Sequence, residues 1–177
     1  MKTLACCLVA AFLGIQASAL ASGSTSNGAE MNVGKAMIAE GTNRNFSHTL
    51  ETSNPDEIWR LWTTPSTWGD WDQGLKSASM DEPMRLGSVG EIVPHQGSVA
   101  RFTVTEFSPD QSYTFETKLP MAVLRVSRSF NVDRTAFTHT VSFHGVSAIP
   151  LSTLLGPGFR KALPPTMETL NRLAAGG

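Results

Sequence analysis

A cation and an imidazole interrupt two strand faces that are otherwise apolar. The even-numbered positions of 122–132 are mostly apolar except for Arg128, and the odd-numbered positions of 137–143 are apolar except for His139. Because side chains alternate between the two faces of a strand, Arg128 and His139 lie on the faces that must be buried. A buried guanidinium and imidazole can orient an acceptor group or exchange a proton.

The turn between these strands predicts which residues are neighbours. Both apolar faces point inward only if paired positions sum to an odd number, and a two-residue turn at 133–134 satisfies this condition. It places Phe130 opposite Phe137 and Arg128 opposite His139.

The preceding hairpins extend this pair into a row. A two-residue turn at 120–121 places Tyr113 opposite Arg128, and a four-residue loop at 108–111 places Glu106 opposite Tyr113. Cβ atoms of such neighbours lie about 5 Å apart. The sequence therefore predicts one polar row across four strands, formed by Glu106, Tyr113, Arg128 and His139.

Two interpretations of this row stay open. In the first, Glu106 neutralises Arg128, while Tyr113 and His139 complete a buried network with no ligand. In the second, the row is the polar end of an apolar pocket and orients a carboxylate, phenol or carbonyl. The apolar side chains predicted to surround the row in that pocket are Phe115, Val126, Phe130 and Val141.

Other polar residues are weaker candidates. His48 alternates onto the apolar face of the first strand and is more simply a core histidine. Asp70 and Asp72 flank a tryptophan on a short helix, where helix caps and solvated charges are expected. His95 and His144 have no carboxylate at metal-ligand spacing, so we predict neither a metal nor a cofactor.

The elements that must position these residues follow from periodicity. Residues 46–52 alternate as a strand, and a helix then begins with Asn54 as N-cap, Pro55 in its first position and Glu57 completing a capping box. A second short helical segment follows at 68–71.

The rest of the chain combines strands with one terminal helix. Strand patterns run from about residue 75, and apolar residues return at helical spacing over 151–173. Pro157, Pro164 and Pro165 predict that this helix is kinked or broken. The order predicts an α+β domain over 44–174, in which the terminal helix covers an antiparallel sheet.

The N-terminus has the pattern of a secretory signal peptide. Residues 1–21 combine Lys2, an apolar run and small residues, with cleavage predicted after Ala21 and Ala19 as second choice; an uncleaved anchor is the alternative. A small, polar, flexible leader is predicted to follow in 22–43. The protein is therefore expected to be periplasmic or secreted.

Cleavage would change both cysteine content and charge. It removes both cysteines, so no disulfide or thiol nucleophile remains, and it changes the formal charge from −1 to −2 because one lysine leaves. A near-neutral charge gives no reason to expect binding to nucleic acid or to an anionic membrane surface, and no stable membrane span is expected after cleavage.

Several segments in this order resemble the SRPBCC (START-like, helix-grip) superfamily, in particular its polyketide cyclase/dehydrase-like branch. The segments are NPDEIWRLWTTPSTWGDWD, LGSVGEI, FTVTEFSPDQSYTFE and VSFHGVSAIPLSTLLGPGFRKALPPTMETLNRLA. The resemblance implies a curved antiparallel sheet wrapped around a long C-terminal helix, with two short helices after the first strand and an apolar cavity inside.

The resemblance leaves three functions to distinguish. The leading one is an exported protein that binds a hydrophobic small molecule, such as a lipid, polyketide or aromatic. The second is a cyclase/dehydratase-type enzyme with His139 as general acid or base, Arg128 stabilising an enolate and Tyr113 as second donor. The third is a protein-interaction module. No motif separates binding from catalysis, and binding without chemistry is favoured.

Overall fold

The computed structural model describes residues 44–81 and 83–176. The predicted signal peptide and leader, residues 1–21 and 22–43, lie outside the described residues. Seven antiparallel strands form one curved sheet, with a long C-terminal helix and short helices after the first strand. This confirms the predicted α+β helix-grip architecture.

The strands and helices are β1 (Asn45–Glu51), α1 (Pro55–Thr63), a 3-10 turn (Pro65–Thr67), α2 (Trp68–Trp71), β2 (Leu75–Met80), β3 (Val89–Pro94), β4 (Ala100–Ser108), β5 (Ser112–Leu119), β6 (Ala122–Phe130), β7 (Ala136–Gly145) and α3 (Ala148–Gly176). The strands lie in the sheet in the order β1-β7-β6-β5-β4-β3-β2.

Helix α1 begins where the sequence predicts, but without the capping box. Pro55 is its first residue, and the Asn54 side chain makes no capping hydrogen bond. Glu57 instead accepts from Arg60 one turn later, with 2.8 Å between Nε and Oε2. The buried side of the helix consists of Ile58, Leu61 and Trp62.

The registers of two hairpins confirm the predicted neighbours. Phe130 pairs with Phe137 and Arg128 pairs with His139 between β6 and β7. Tyr113 pairs with Arg128 between β5 and β6. Three members of the predicted row therefore lie on adjacent strands.

The loop between β6 and β7 is longer than predicted. The strands end at Phe130 and resume at Ala136, so the connection has the predicted register without the predicted two-residue turn. The Asn131 carboxamide accepts from the Ala136 amide at 3.0 Å and Arg134 adopts a left-handed φ of 55°. Val132, which the alternation places inward, is 92 % exposed because the strand has already ended.

A β-bulge in β4 overturns the prediction for Glu106. Val104 pairs with Phe115 as predicted, and the register then shifts between Val104 and Glu106. Beyond the bulge Phe107, and not Glu106, pairs with Tyr113. The extra residue rotates every later side chain of the strand to the opposite face.

Glu106 consequently lies on the outer face of the sheet. It is exposed, accepts from the Thr114 hydroxyl at 2.6 Å and lies 3.7 Å from the Arg125 guanidinium. From this face it cannot neutralise Arg128, so the prediction that Glu106 pairs with Tyr113 in the polar row is wrong.

Helix α3 runs without interruption through its three prolines, so it is not broken there, and the kink stays a prediction. It packs closely on β1, because a Cβ added to Gly156 would lie 2.2 Å from the Phe46 ring. The face buried against the sheet consists of Ala148, Ser152, Gly156, Phe159, Leu163, Thr166, Met167, Leu170 and Ala174. Within 44–81 and 83–176, no helix is both long enough and apolar enough to cross a membrane.

Candidate ligand-binding site

Arg128 is the charged centre of the interior. Its side chain is 2 % exposed, in the middle of the sheet. The guanidinium carbon lies 4.5 Å from the ring centroid of Trp68 and 4.7 Å from that of Trp71. Burying a charge is costly, and the electron-rich ring faces offset part of that cost. Helix α2, which carries both tryptophans, therefore covers this cation.

Tyr113 links Arg128 to the end of helix α1. The last carbonyls of a helix have no intrahelical donor, and the Trp62 carbonyl accepts from the Tyr113 hydroxyl at 2.8 Å and from Trp68 Nε1 at 2.9 Å. The Tyr113 oxygen in turn accepts from Arg128 Nη1. Burial raises the pKa of Tyr113 to about 12, although the Arg128 charge opposes the shift. The phenol is therefore neutral, and its one proton is already engaged.

His139 lies opposite Arg128 and has free hydrogen-bonding capacity. It is buried, and neither ring nitrogen has a hydrogen-bond partner among the described residues. Burial, assisted by the Arg128 charge, holds the pKa of His139 well below its usual value, so the ring is neutral at pH 7. On its other side, His139 pairs with the half-buried His48 of β1. The row on the inner face therefore continues to the edge strand.

Asp72 is the acidic residue of the site, and sequence reasoning missed it. It follows α2 directly, is buried, and accepts from the Gly74 amide at 3.0 Å. Burial raises the pKa of Asp72 to about 6, opposed by the Gly74 hydrogen bond and by the Arg128 charge. The sequence predicts that Asp72 serves as a helix cap or a solvated charge. Its position between buried tryptophans and Gly74 was the available signal.

These groups surround a small buried cavity of about 20 Å³, which is room for one water molecule. Every lining residue is at most 3 % exposed. Three lining residues have polar atoms without a partner within 44–81 and 83–176: Thr117 Oγ1, Arg128 Nε and both nitrogens of His139. The lining consists of Trp68, Asp72, Leu75, Ile92, Phe115, Thr117, Leu124, Val126, Arg128 and His139.

The predicted apolar walls divide into two groups. Phe115 and Val126 line the cavity. Phe130 packs on Trp62, with 5.0 Å between ring centroids, and Val141 is buried in the core without being part of the cavity wall. The first pair can touch a ligand at Arg128, and the second pair supports the sheet behind it.

The interior next to Arg128 is narrower than the cavity that the resemblance implies. Pockets for small molecules have volumes of about 300–1,000 Å³. Here Trp68 fills the space, with its ring 5.3 Å from Phe102 and 5.4 Å from Phe115. A ligand can reach Arg128 only if side chains move.

The charges of the site favour an uncharged polar group. At pH 7 the Arg128 cation faces a mostly ionised Asp72 and a neutral His139. A group that both donates and accepts, such as a phenol or hydroxyketone, can satisfy all three. A carboxylate would be attracted by Arg128 and repelled by Asp72.

Metal-binding clusters of three or more His, Cys, Asp or Glu side chains do not occur in the part of the chain that the structure describes. The predicted absence of a metal in the protein stays a prediction.

Comparisons with known proteins agree on the architecture. The family model described as polyketide cyclase / dehydrase and lipid transport matches residues 47–175. No curated protein sequence matches the chain.

Similar solved structures share the fold at low sequence identity. A hypothetical protein of Helicobacter pylori has a TM-score of 0.56 at 12 % identity and covers 85 % of this chain and 99 % of its own. A Mesorhizobium loti protein has a TM-score of 0.54 at 19 % identity, with 75 % and 97 % coverage. DynU16, from the dynemicin biosynthetic locus, has a TM-score of 0.56 at 16 % identity, with 76 % and 48 % coverage.

Proposed function

The chain belongs to the polyketide cyclase/dehydrase and lipid transport family of the SRPBCC superfamily, and on this premise we propose that it binds a hydrophobic small molecule with one uncharged polar group. The apolar part lies against Phe115 and Val126, and the polar group meets Arg128, His139 and Asp72. The family's fold suggests binding of a hydrophobic ligand or a cyclase-like role. The site residues favour a hydrophobic ligand with one uncharged polar group.

One observation carries the proposal. Arg128 Nε, both nitrogens of His139 and Thr117 Oγ1 are buried without partners around one cavity. Each unsatisfied buried polar group costs about 1–3 kcal/mol. One water molecule fits in this cavity and can pair with these atoms, and a polar ligand group that takes its place supplies the same partners.

The experiment compares three ligands of one shape: naphthalene, 2-naphthol and 2-naphthoate. The wild-type protein is expected to bind 2-naphthol about tenfold more tightly than the other two, because only the phenol satisfies Arg128 and Asp72 together. Titration calorimetry at neutral pH measures the three dissociation constants. Organic extraction of the purified protein, followed by mass spectrometry, tests for a co-purifying molecule of the same class.

A matched pair of variants tests the role of the guanidinium. Arg128→Met removes the buried cation and is expected to abolish the preference for 2-naphthol. Arg125→Met, three residues away on the outer face and paired with Glu116 at 2.9 Å, should keep it. The proposal fails if wild-type protein binds none of the three, or if Arg128→Met retains the preference.

A second function, proton transfer next to a carbonyl, is favoured by Asp72. A buried carboxyl with a pKa raised to about 6 suits proton transfer near neutral pH. Asp72 would accept the proton α to a ketone, and Arg128 would stabilise the enolate oxygen. The proton of Tyr113 is engaged by the Trp62 carbonyl, so Tyr113 does not fit the predicted role of second donor. His139 is neutral and can donate or accept a hydrogen bond, but its lowered pKa makes it a poor base and leaves it without the extra proton that a general acid would give.

Deuterium exchange of 2-tetralone separates the two functions. An enzyme of this type should accelerate exchange of the α-protons in D₂O, followed by NMR, and Asp72→Asn should remove the acceleration while binding persists. Exchange at the rate of free 2-tetralone would leave binding as the function.

A further inference from the structure

A groove of about 690 Å³ lies over β3, β4, β5 and β6 on the outer face of the sheet. Its volume suits a small molecule. Two exposed apolar side chains, Val89 and Val99 at 54 % and 53 % exposure, form part of its wall together with the half-buried Leu119 and Val123. The lining also includes the charged residues Arg101, Glu116 and Lys118, so the apolar residues offer a surface for the apolar part of a ligand without excluding polar groups.

The groove lies where β4 and β5 separate. The last pair between these strands is Phe102 with Thr117. Beyond it, Ala100 on β4 and Leu119 on β5 have no partner across this strand pair, although Ala100 still pairs with β3 and Leu119 with β6. Between them the sheet has no ladder of backbone hydrogen bonds. A side chain that moves there opens a path between the faces without breaking a strand pair.

The groove and the buried cavity share two lining residues, Thr117 and Leu124. Both side chains are at most 3 % exposed, and Thr117 Oγ1 has no hydrogen-bond partner. These two side chains therefore form the partition between the outer groove and the polar atoms of Arg128 and His139.

We propose that the cleft between β4 and β5 is the route by which the ligand reaches Arg128, with Leu124 and Thr117 as the gate. In the bound state the polar group of the ligand lies at Arg128, and its apolar part extends past Leu124 into the groove. Thr117 Oγ1 gains a partner when the polar group passes or binds. This inference rests on the proposed function and adds to it a path and a second apolar subsite.

Two substitutions on one strand test the gate. Leu124 lines both spaces, whereas Val126 lines the cavity alone. Leu124→Ala should accelerate both association and dissociation of 2-naphthol about tenfold or more, because the gate no longer has to move before binding. Val126→Ala enlarges the cavity as well and is expected to change the affinity, but it should accelerate association less than Leu124→Ala because it does not open the partition to the groove. Stopped-flow fluorescence measures both rates, and equal association rates in the two variants would overturn the proposal.

A third variant addresses the same gate without touching the core, in case Leu124→Ala does not fold. Val123 is a half-buried wall of the groove on the outer side of β6. Val123→Trp should narrow the groove and slow association about tenfold or more. Unchanged association in this variant would also place the route elsewhere.

Acrylamide quenching of tryptophan fluorescence tests the path without a ligand. Trp68 lines the cavity, so the quenching constant should rise more in Leu124→Ala than in Val126→Ala. Equal quenching would contradict the cleft. A protein that shows this difference but binds none of naphthalene, 2-naphthol and 2-naphthoate would keep the path and lose the proposed function.

Discussion

Arg128 can remain charged in the interior because three kinds of group face it. The Trp68 and Trp71 rings lie over the guanidinium, the Tyr113 oxygen accepts from it, and Asp72 supplies the opposite charge. Removing one partner of such a cluster costs several kcal/mol, because the other charge is left buried. Yet Arg128 Nε has no partner among the described residues, and so the cluster has one donor available for a ligand.

Asp72 gives the stability of the protein a pH dependence of its own. Burial raises its pKa from 3.8 to about 6, so between these values the folded chain holds a proton that the unfolded chain has released. The contribution of Asp72 to the free energy of unfolding is therefore fully present below about pH 4, and it is lost as pH rises through about 6.

Asp72→Asn should remove this dependence while keeping the acceptor for Gly74. Relative to the wild type, the variant should gain up to about 3 kcal/mol as pH rises from about 4 to about 7. Urea unfolding at several pH values measures the difference. His139, whose pKa is lowered, acts in the opposite sense and destabilises both proteins below its ordinary pKa. A difference between variant and wild type that ignores pH would contradict the raised pKa of Asp72.

At this scale, the sequence predicted Arg128, His139 and Tyr113 and missed their acid. Alternation and turn length reveal neighbours within a sheet, so they found the residues that pair across strands. Asp72 reaches the site from a loop after α2, by tertiary packing that no periodicity encodes. A carboxylate near the buried cation is expected on physical grounds. Strict alternation predicts it at Glu106 on β4, whereas the structure supplies it from Asp72.

Among the elements, β4 shows how one residue redirects a site. The inward apolar residues are Phe102, Val104 and Phe107, and the last interval of three residues breaks the period of two. That interval marks the bulge, and it keeps Phe107 inward, 5.8 Å from the Trp59 ring, while Glu106 turns outward. Strict alternation across the interval led to the error at Glu106.

Helix α3 is held against β1 by the absence of a side chain at Gly156. A Cβ there would lie 2.2 Å from Phe46, whose ring packs against Phe143 and Phe159. Alanine is favoured over glycine in a helix by about 1 kcal/mol, and overpacking costs about 1–3 kcal/mol. Gly156→Ala should therefore lower the free energy of unfolding by up to about 2 kcal/mol in urea denaturation.

Two further variants make this test specific. Gly176→Ala, with no heavy atom within 4 Å of the added Cβ, should be near neutral. Phe46→Leu should cost less in the Gly156→Ala background than in the wild type, because it relieves the clash. Stabilisation by Gly156→Ala would show that α3 is not held closely to β1.

At the scale of the whole molecule, the fold was more predictable than its interior. Element order and binary patterning depend on local periods, and they gave the sheet and the covering helix correctly. Cavity volume depends on how large side chains pack between elements, and Trp62, Trp68 and Trp71 fill the space that the resemblance left open for a ligand. Binding must therefore be coupled to opening, and association is expected to be slower than for a preformed pocket.

Export is a proposal at the same scale, and it predicts how the mature protein is held together. Cleavage after Ala21 would leave a chain that begins at Ser22 and contains no cysteine. We expect expression in a bacterium with two membranes to yield this product in the periplasm or medium, with the N-terminus identified by mass spectrometry. Ala21→Phe, which places a bulky residue at the cleavage position, should shift cleavage to Ala19 or leave the precursor in the membrane fraction.

Without disulfides the melting temperature of the mature protein should be the same with and without reductant, because its stability depends on the core alone. An intact chain starting at Met1 in the cytoplasm would contradict the export, and it would place the ligand among intracellular molecules.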